Sequence, residues 1–220
     1  MPVPEKLTAH FEEQCFYHVI CKCIDGRKLF LDDNDREFFL KRYQELMEPF
    51  INTYSYCLLD NHAHFLIETK NPEDINPYLM QIPKCRLTLT HIKFLRTANQ
   101  EKLYHELIKQ QFNRLFISHT MSFNRKHQQK GHLFIRPFRR MLINEDAYLT
   151  HVVIYIHANP LKHGITDDFT HYKWSSCQAL LSDGFTRLKR KEVLDWFGGR
   201  EMFEKTQSEQ AEYYFAHPVL

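Results

Sequence analysis

The chain has 220 residues, 43% hydrophobic and 25% charged, with a formal net charge of +2. That length suits one well-packed domain with an appendage and is short for two full domains. No apolar run approaches a membrane span, and the opening "MPVPEKLTAHFEEQ" lacks the basic-then-apolar layout of a signal peptide, so a cytoplasmic protein without membrane attachment is expected. The six cysteines (Cys15, Cys21, Cys23, Cys57, Cys85, Cys177) contain no CxxC pair. Their mostly apolar surroundings argue for reduced thiols over a disulfide frame or a zinc knot.

In chain order, "CFYHVICKCI" (15–24) alternates and is rich in β-formers, which predicts a strand ending at the Asp25-Gly26 turn. "DDNDREFFLKRYQELM" opens with acids and continues with Phe38, Phe39, Tyr43 and Leu46 at helical spacing, an amphipathic helix stopped by Pro49. "FINTYSYCLLD" and "HAHFLIETK" read as two strands of a hairpin around Asp60-Asn61, giving the order β-α-β-β. The stretch "NPEDINPYLMQIPKCRLTLTHIKFLRTANQ" (71–100) mixes a helical pattern with Pro83 and is not assignable by pattern. Leu107, Ile108, Phe112, Leu115, Phe116 and Phe123 then predict a long helix from Tyr104 to about His127. After Gly131, "HLFIRPFRRMLI" reads as an edge strand in which Pro137 is tolerable. "NEDAYLTHVVIYIHANP" predicts a helix capped by Asn144, and the tail from Asp183 predicts two short helices split by Gly198-Gly199. These elements specify an α+β class: a ferredoxin-like antiparallel sheet with helices packed on it, residues 10–183, followed by an accessory C-terminal helical segment, residues 184–220.

Charge is distributed unevenly. No acid occurs from Ile75 to Gln100 or from Leu107 to Asn144, and the second stretch carries Lys109, Arg114, Arg125, Lys126, Lys130, Arg136, Arg139 and Arg140. A basic middle in a nearly neutral protein is the footprint of a polyanion site, and nucleic acid is the expected partner over an unpartnered solvated face. Arg125, Lys126, Lys130, Arg136, Arg139 and Arg140 are the candidate DNA-binding residues. Phe134 and Phe138, interleaved with them, could stack on bases or equally belong to the core.

Two constellations carry candidate chemistry. In "LLDNHAHFLIET" (58–69), His62 and His64 lie two apart on a strand and so project from one face. They read either as a pair of metal ligands or as two partly exposed strand histidines. On the helix after Asn144, His151, Tyr155 and Asn159 recur at intervals of four and share a face. The alternative there is a packed tyrosine with Asn159 ending the helix before Pro160.

"DNHAHFLIE", "FNRKHQQKGHLFIRPFRR" and "AYLTHVVIYIHANPLKHGI…YKWSS", in that order and spacing, resemble the REP-associated tyrosine transposases, relatives of the single-tyrosine HUH insertion-sequence transposases. The resemblance covers about residues 15 to 180. It implies that His62 and His64 are metal ligands, that Tyr155 is the nucleophile, and that Asn159 is the third ligand, with His151 a rival on the same face. It also implies a substrate of single-stranded or hairpin DNA. The sequence departs from relatives at Asp60, where they usually have proline; the change either alters the turn or puts a negative charge near the metal.

A phenol with an ordinary pKa near ~10 is a poor nucleophile, so assistance is required for attack on a phosphodiester. A divalent ion on His62, His64 and Asn159 would act as a Lewis acid, and a nitrogen and oxygen shell without thiolate suits Mg²⁺ or Mn²⁺ without excluding Zn²⁺. Attack by Tyr155 would give a covalent 5′-phosphotyrosine, and reversal would rejoin strands. The competing expectations are a catalytically decayed or domesticated DNA-hairpin-binding protein, and a ferredoxin-like RNA module using the 2′-hydroxyl. A homodimer is compatible with all three.

Overall fold

The computed structural model describes residues 7–216, with side chains through residue 209. Four strands form the sheet: β1 (Phe16–Lys22), β2 (Ile51–Leu58), β3 (His62–Thr69) and β4 (Arg139–Ile143). Their order is β2-β3-β1-β4, with every neighbouring pair antiparallel. With helix α1 (Asp33–Met47) crossing from β1 to β2, this is the ferredoxin-like arrangement. A capping box starts α1: the Asp35 amide donates to the Asp32 carboxylate and the Asp32 amide returns to that of Asp35.

Between β3 and the long helix lie α2 (Pro72–Gln81) and α3 (Leu89–Arg96), in the region that could not be assigned by pattern. Their starts are capped by Asn71 and Thr88. Helix α4 (Glu101–Lys126) follows, close to its expected bounds. It packs beside α1 on one face of the sheet, where Tyr17, Val19 and Cys21 of β1 and Ala63, Phe65 and Ile67 of β3 point. Phe134 and Phe138 are buried there, Phe134 stacked on Phe116 with ring centroids 4.4 Å apart. They are core residues, not platforms for bases. The strand expected over "HLFIRPFRRMLI" shortens to β4 at the sheet edge, and the preceding loop runs alongside β1, with the Ile135 amide donating to the Lys22 carbonyl at 2.8 Å.

The opposite face is covered by α5 (Leu149–Lys162), α6 (Cys177–Leu181), α7 (Arg190–Trp196) and α8 (Arg200–Ala216). The expected Asn144 cap is not used. Glu145 is extended, a 3₁₀ turn spans Asp146–Tyr148, and α5 begins at Leu149 without a side-chain cap. Nor does Asn159 end the helix: α5 passes through Pro160 and closes in a Schellman motif. There the Ile165 amide donates to the Pro160 carbonyl at 2.9 Å and the Gly164 amide to Leu161 at 3.0 Å, with Gly164 at φ 62.

The tail shares this second core. Val193 of α7 and Phe203 of α8 are buried with Val152, Val153 and Ile156 of α5, and the Lys189 amide donates to the Thr53 carbonyl of edge strand β2. Gly198 and Gly199, both at positive φ, separate α7 from α8. Residues 217–220 of the expected tail segment lie outside the described residues. All six cysteines are free thiols, and no described helix is long and apolar enough to cross a membrane.

Candidate active site

Cross-strand pairing assembles the site floor. His64 pairs with Ile20 and His62 with Lys22 on β1, while Ile20 and His18 pair with Arg139 and Met141 on β4. Directly paired residues share a face, so His62, His64, His18, Lys22 and Arg139 all project towards α5. His62 is held by the turn residue before it, its Nδ1 lying 2.6 Å from Asn61 Oδ1. His64 Nδ1 lies 2.9 Å from His18 Nε2, and His64 Nε2 is buried without a hydrogen-bond partner.

Helix α5 supplies the roof. Tyr155 meets His64 and His18 edge-to-face, with ring centroids at 5.8 and 5.7 Å. Two turns on, His163 meets His62 at 4.9 Å. Asn159 lies midway between Tyr155 and His163 on the same stripe, fully enclosed. Its Nδ2 donates to the Tyr155 carbonyl at 2.7 Å, which fixes the amide and leaves Oδ1 buried and unpartnered. Lys162 Nζ sits 5.2 Å from the centre of the Tyr155 ring.

Burial pushes the imidazoles of His62 and His18 down to about 3 and that of His64 well below its usual value, so all three are neutral near pH 7. A neutral imidazole is the form that ligates a metal. Burial raises the Tyr155 phenol above its usual value, while the Asn159 side chain and the Arg139 charge oppose that rise. His163, then Lys22 and Lys162, depress His62 further. The site thus combines neutral nitrogen and oxygen donors with the flanking cationic side chains Lys22, Lys162 and Arg139, chemistry that is compatible with a divalent cation and a phosphodiester. The unpartnered His64 Nε2 and Asn159 Oδ1 fit such an ion, since each is a buried donor-atom position that nothing among the described residues satisfies.

His62, His64, Tyr155, Asn159 and Arg139 are therefore brought together, and the other candidates are not. The His151 ring packs on Tyr148 at 5.7 Å, in the first turn of α5 and about 12 Å along the helix from Asn159. Arg140 is a correction. Paired with Val19, it points into the α1/α4 core, lies over Phe11 and Phe138, and donates to the carbonyls of Thr8, Ala9 and Phe138. Its guanidinium is committed to the fold and does not reach the surface. Lys126 is exposed but binds Asp32 and Asp35 at 2.6 to 2.9 Å. Arg125, Lys130, Arg136 and Arg139 remain exposed.

Asp60 shapes the turn. Its carboxylate pairs with Arg36 and with Lys28 at 2.7 Å, and its carbonyl accepts from Leu29 and Phe30. The charge that replaces the usual proline is compensated locally. Asp32, Asp35 and His127 also stand at metal-ligand spacing. Asp35, however, already accepts from Leu31 N, Lys126 Nζ and His127 Nε2, so an ion there would have to displace an ammonium.

Pattern reading missed five residues at the site. Asn61 adjoins the histidine pair and could have been found. Lys162 and His163 continue the 155–159 stripe but were hidden by taking Pro160 as a terminator. His18 and Lys22 are identified only by the β1–β3 register.

No family model matches the chain. Among solved structures, one described as "Structure of the REP associates tyrosine transposase bound to a REP hairpin" shares the fold. Its TM-score is 0.55 at 12% identity, over 85% of this chain and 90% of that one. In sequence, the chain is 26% identical over 181 residues to a Haemophilus influenzae protein named "Putative REP-associated tyrosine transposase", covering 81% of this chain and 85% of the relative. The chain is similar to REP-associated tyrosine transposases in sequence and in fold.

Proposed function

We propose that the protein is a transposase that nicks and rejoins single-stranded or hairpin DNA, with Tyr155 as nucleophile. The observation that carries this reading is the contact of Tyr155 with His64, beside two buried, unpartnered donor atoms, His64 Nε2 and Asn159 Oδ1. The Tyr155 oxygen attacks phosphorus, the bond to the 3′ oxygen breaks, and the strand is left as a 5′-phosphotyrosine with a free 3′-hydroxyl. The phenolic proton is lost and the leaving oxygen gains one. Attack by a 3′-hydroxyl on the linkage reverses the step, so no nucleotide cofactor is consumed.

His62, His64 and Asn159 would hold a divalent cation, Mg²⁺ or Mn²⁺, which supplies positive charge for a non-bridging phosphate oxygen when bound. Arg139 and Lys162 favour the phenolate by their charge, Lys162 from above the ring. Lys22 adds to the anion-attracting rim. Lys130 and Arg136, in the loop beside β1, and Arg125, in the last turn of α4, add exposed positive charge for the phosphate backbone. A free cytoplasmic enzyme is the setting this chemistry suits.

The test is incubation of the full chain with labelled all-deoxy hairpins and Mn²⁺, followed by a denaturing gel. A covalent adduct is expected with the natural chain and none with Tyr155→Phe, which should still bind. An adduct that survives Tyr155→Phe would sink the assignment. Binding without any adduct would indicate a hairpin-binding protein, and cleavage only where a 2′-hydroxyl is present would indicate an RNA module.

A further inference from the structure

His18 is a buried histidine with no role in the chemistry above. It lies in the middle of β1, fully enclosed, and its partners across the strands, Leu66 and Met141, are apolar. Packing alone would favour an apolar side chain there. Instead the imidazole places Nε2 at 2.9 Å from His64 Nδ1 and leaves its own Nδ1 buried without a partner. An unpaired buried polar atom is costly, and its retention calls for a reason other than packing.

Only one hydrogen can lie between the two facing nitrogens. If His18 donates it, His64 carries its own hydrogen on Nε2 and presents a donor to the site. If His64 donates it, His64 Nε2 is a bare lone pair. Only the second arrangement can bind a cation.

We propose that His18 is a positioning residue for the metal site: by accepting the Nδ1 hydrogen of His64, it holds His64 in the tautomer whose Nε2 faces the ion. The inference rests on the reading of His62, His64 and Asn159 as ligands. His62 is held in the corresponding way by Asn61 Oδ1, which can only accept, so each candidate imidazole ligand has its own acceptor behind it. Partners of this kind typically change metal affinity by about 10- to 100-fold when removed.

The test is Mn²⁺ affinity of the full chain, read by electron paramagnetic resonance, for His18→Gln, His18→Phe, His18→Leu and His64→Ala, with melting curves to verify folding. Gln can place an amide oxygen near the lost Nε2 and accept the same hydrogen, whereas Phe and Leu cannot accept it. The expected result is affinity within about threefold of the natural chain for His18→Gln and a loss of about 10- to 100-fold for whichever apolar variant folds. Equal loss in all His18 variants would overturn the proposal in favour of ring packing. So would unchanged affinity in all of them while His64→Ala loses the ion, a result that leaves the ligand reading standing. If His64→Ala binds as well as the natural chain, the ligand reading fails and this inference with it.

Discussion

Two clusters in this protein use the same kinds of side chain for opposite ends. One joins Asp32, Asp35, Lys126 and His127 where the start of α1 meets the end of α4; the other gathers His18, His62, His64, Tyr155 and Asn159 between the sheet and α5. The first has metal-ligand spacing, yet its buried carboxylate is already bonded to an ammonium, an imidazole and backbone amides. The second holds three buried polar atoms, His18 Nδ1, His64 Nε2 and Asn159 Oδ1, without a hydrogen-bond partner among the described residues, and the last two are the candidate ligand atoms. Metal-ligand spacing alone marks the first cluster. Unused bonding capacity marks only the second, and it is the better sign of a site.

The comparison breaks most visibly at Tyr155. Tyr155→Phe should lower adduct formation at least about 10³-fold, because removing the nucleophile leaves no group to replace it, while hairpin affinity in a gel-shift assay stays within about twofold. Tyr148→Phe, at the far end of α5, should retain cleavage.

Metal affinity separates the clusters next. His64→Ala should weaken Mn²⁺ binding by more than about 100-fold in a calorimetric titration, whereas Asp35→Asn should leave it unchanged. Tight binding lost in Asp35→Asn would reverse the two roles. Asp35→Asn should instead cost stability, about 1–2 kcal/mol for the weakened helix cap, or roughly 2–8 °C in melting temperature for a chain of this size.

That stability carries a pH signature. Burial pushes the Asp35 carboxyl up, but Lys126, the Leu31 amide and His127 outweigh it and hold it below the usual carboxylate range. A folded-state value below the unfolded one, near ~3.9, means that the clamp stabilises at neutral pH and the contribution is lost as pH falls through that value and below. Urea melts across pH 7 to 3 should show a steeper acid loss in the natural chain than in Asp35→Asn. Parallel curves would mean that the carboxylate is not specially stabilised.

The smallest effects concern the arginines. Arg139→Ala should reduce the slope of log affinity against log salt by about one unit with little change in melting temperature. Arg140→Ala, which empties a buried position, should lower melting temperature and leave the slope alone. The opposite pattern would place Arg140 on the DNA surface.

These contrasts also explain what could be read without coordinates. The order β-α-β-β and the span of α4 follow from apolar periodicity, which burial enforces strongly, and the edge position of β4 from Pro137, which a central strand would not tolerate. The histidine pair and the 155–159 stripe follow from the side-chain repeats of strand and helix. Arg140 did not, because neighbouring residues on a strand face opposite ways and only the register shows that Arg139 takes the site face. The late start of α5 was hidden by the acids of "NED", which resemble a helix start while the chain is still extended from β4. His18 looked like one of fourteen histidines, since its meaning lies in a contact 46 residues away.

Helix α5 is braced along its length. His157 reaches Ser176 Oγ at 2.7 Å and Gln207 Oε1 at 3.3 Å, Phe203 packs on the same ring, and the Schellman turn closes the end beyond Asn159. A helix pinned this way presents Tyr155 to the histidines of its own chain, so the proposed nucleophile and ligands come from one chain. Mixing Tyr155→Phe and His64→Ala chains should therefore restore nothing. On the proposed roles, a defective copy of the gene would draw no catalytic side chain from an intact one.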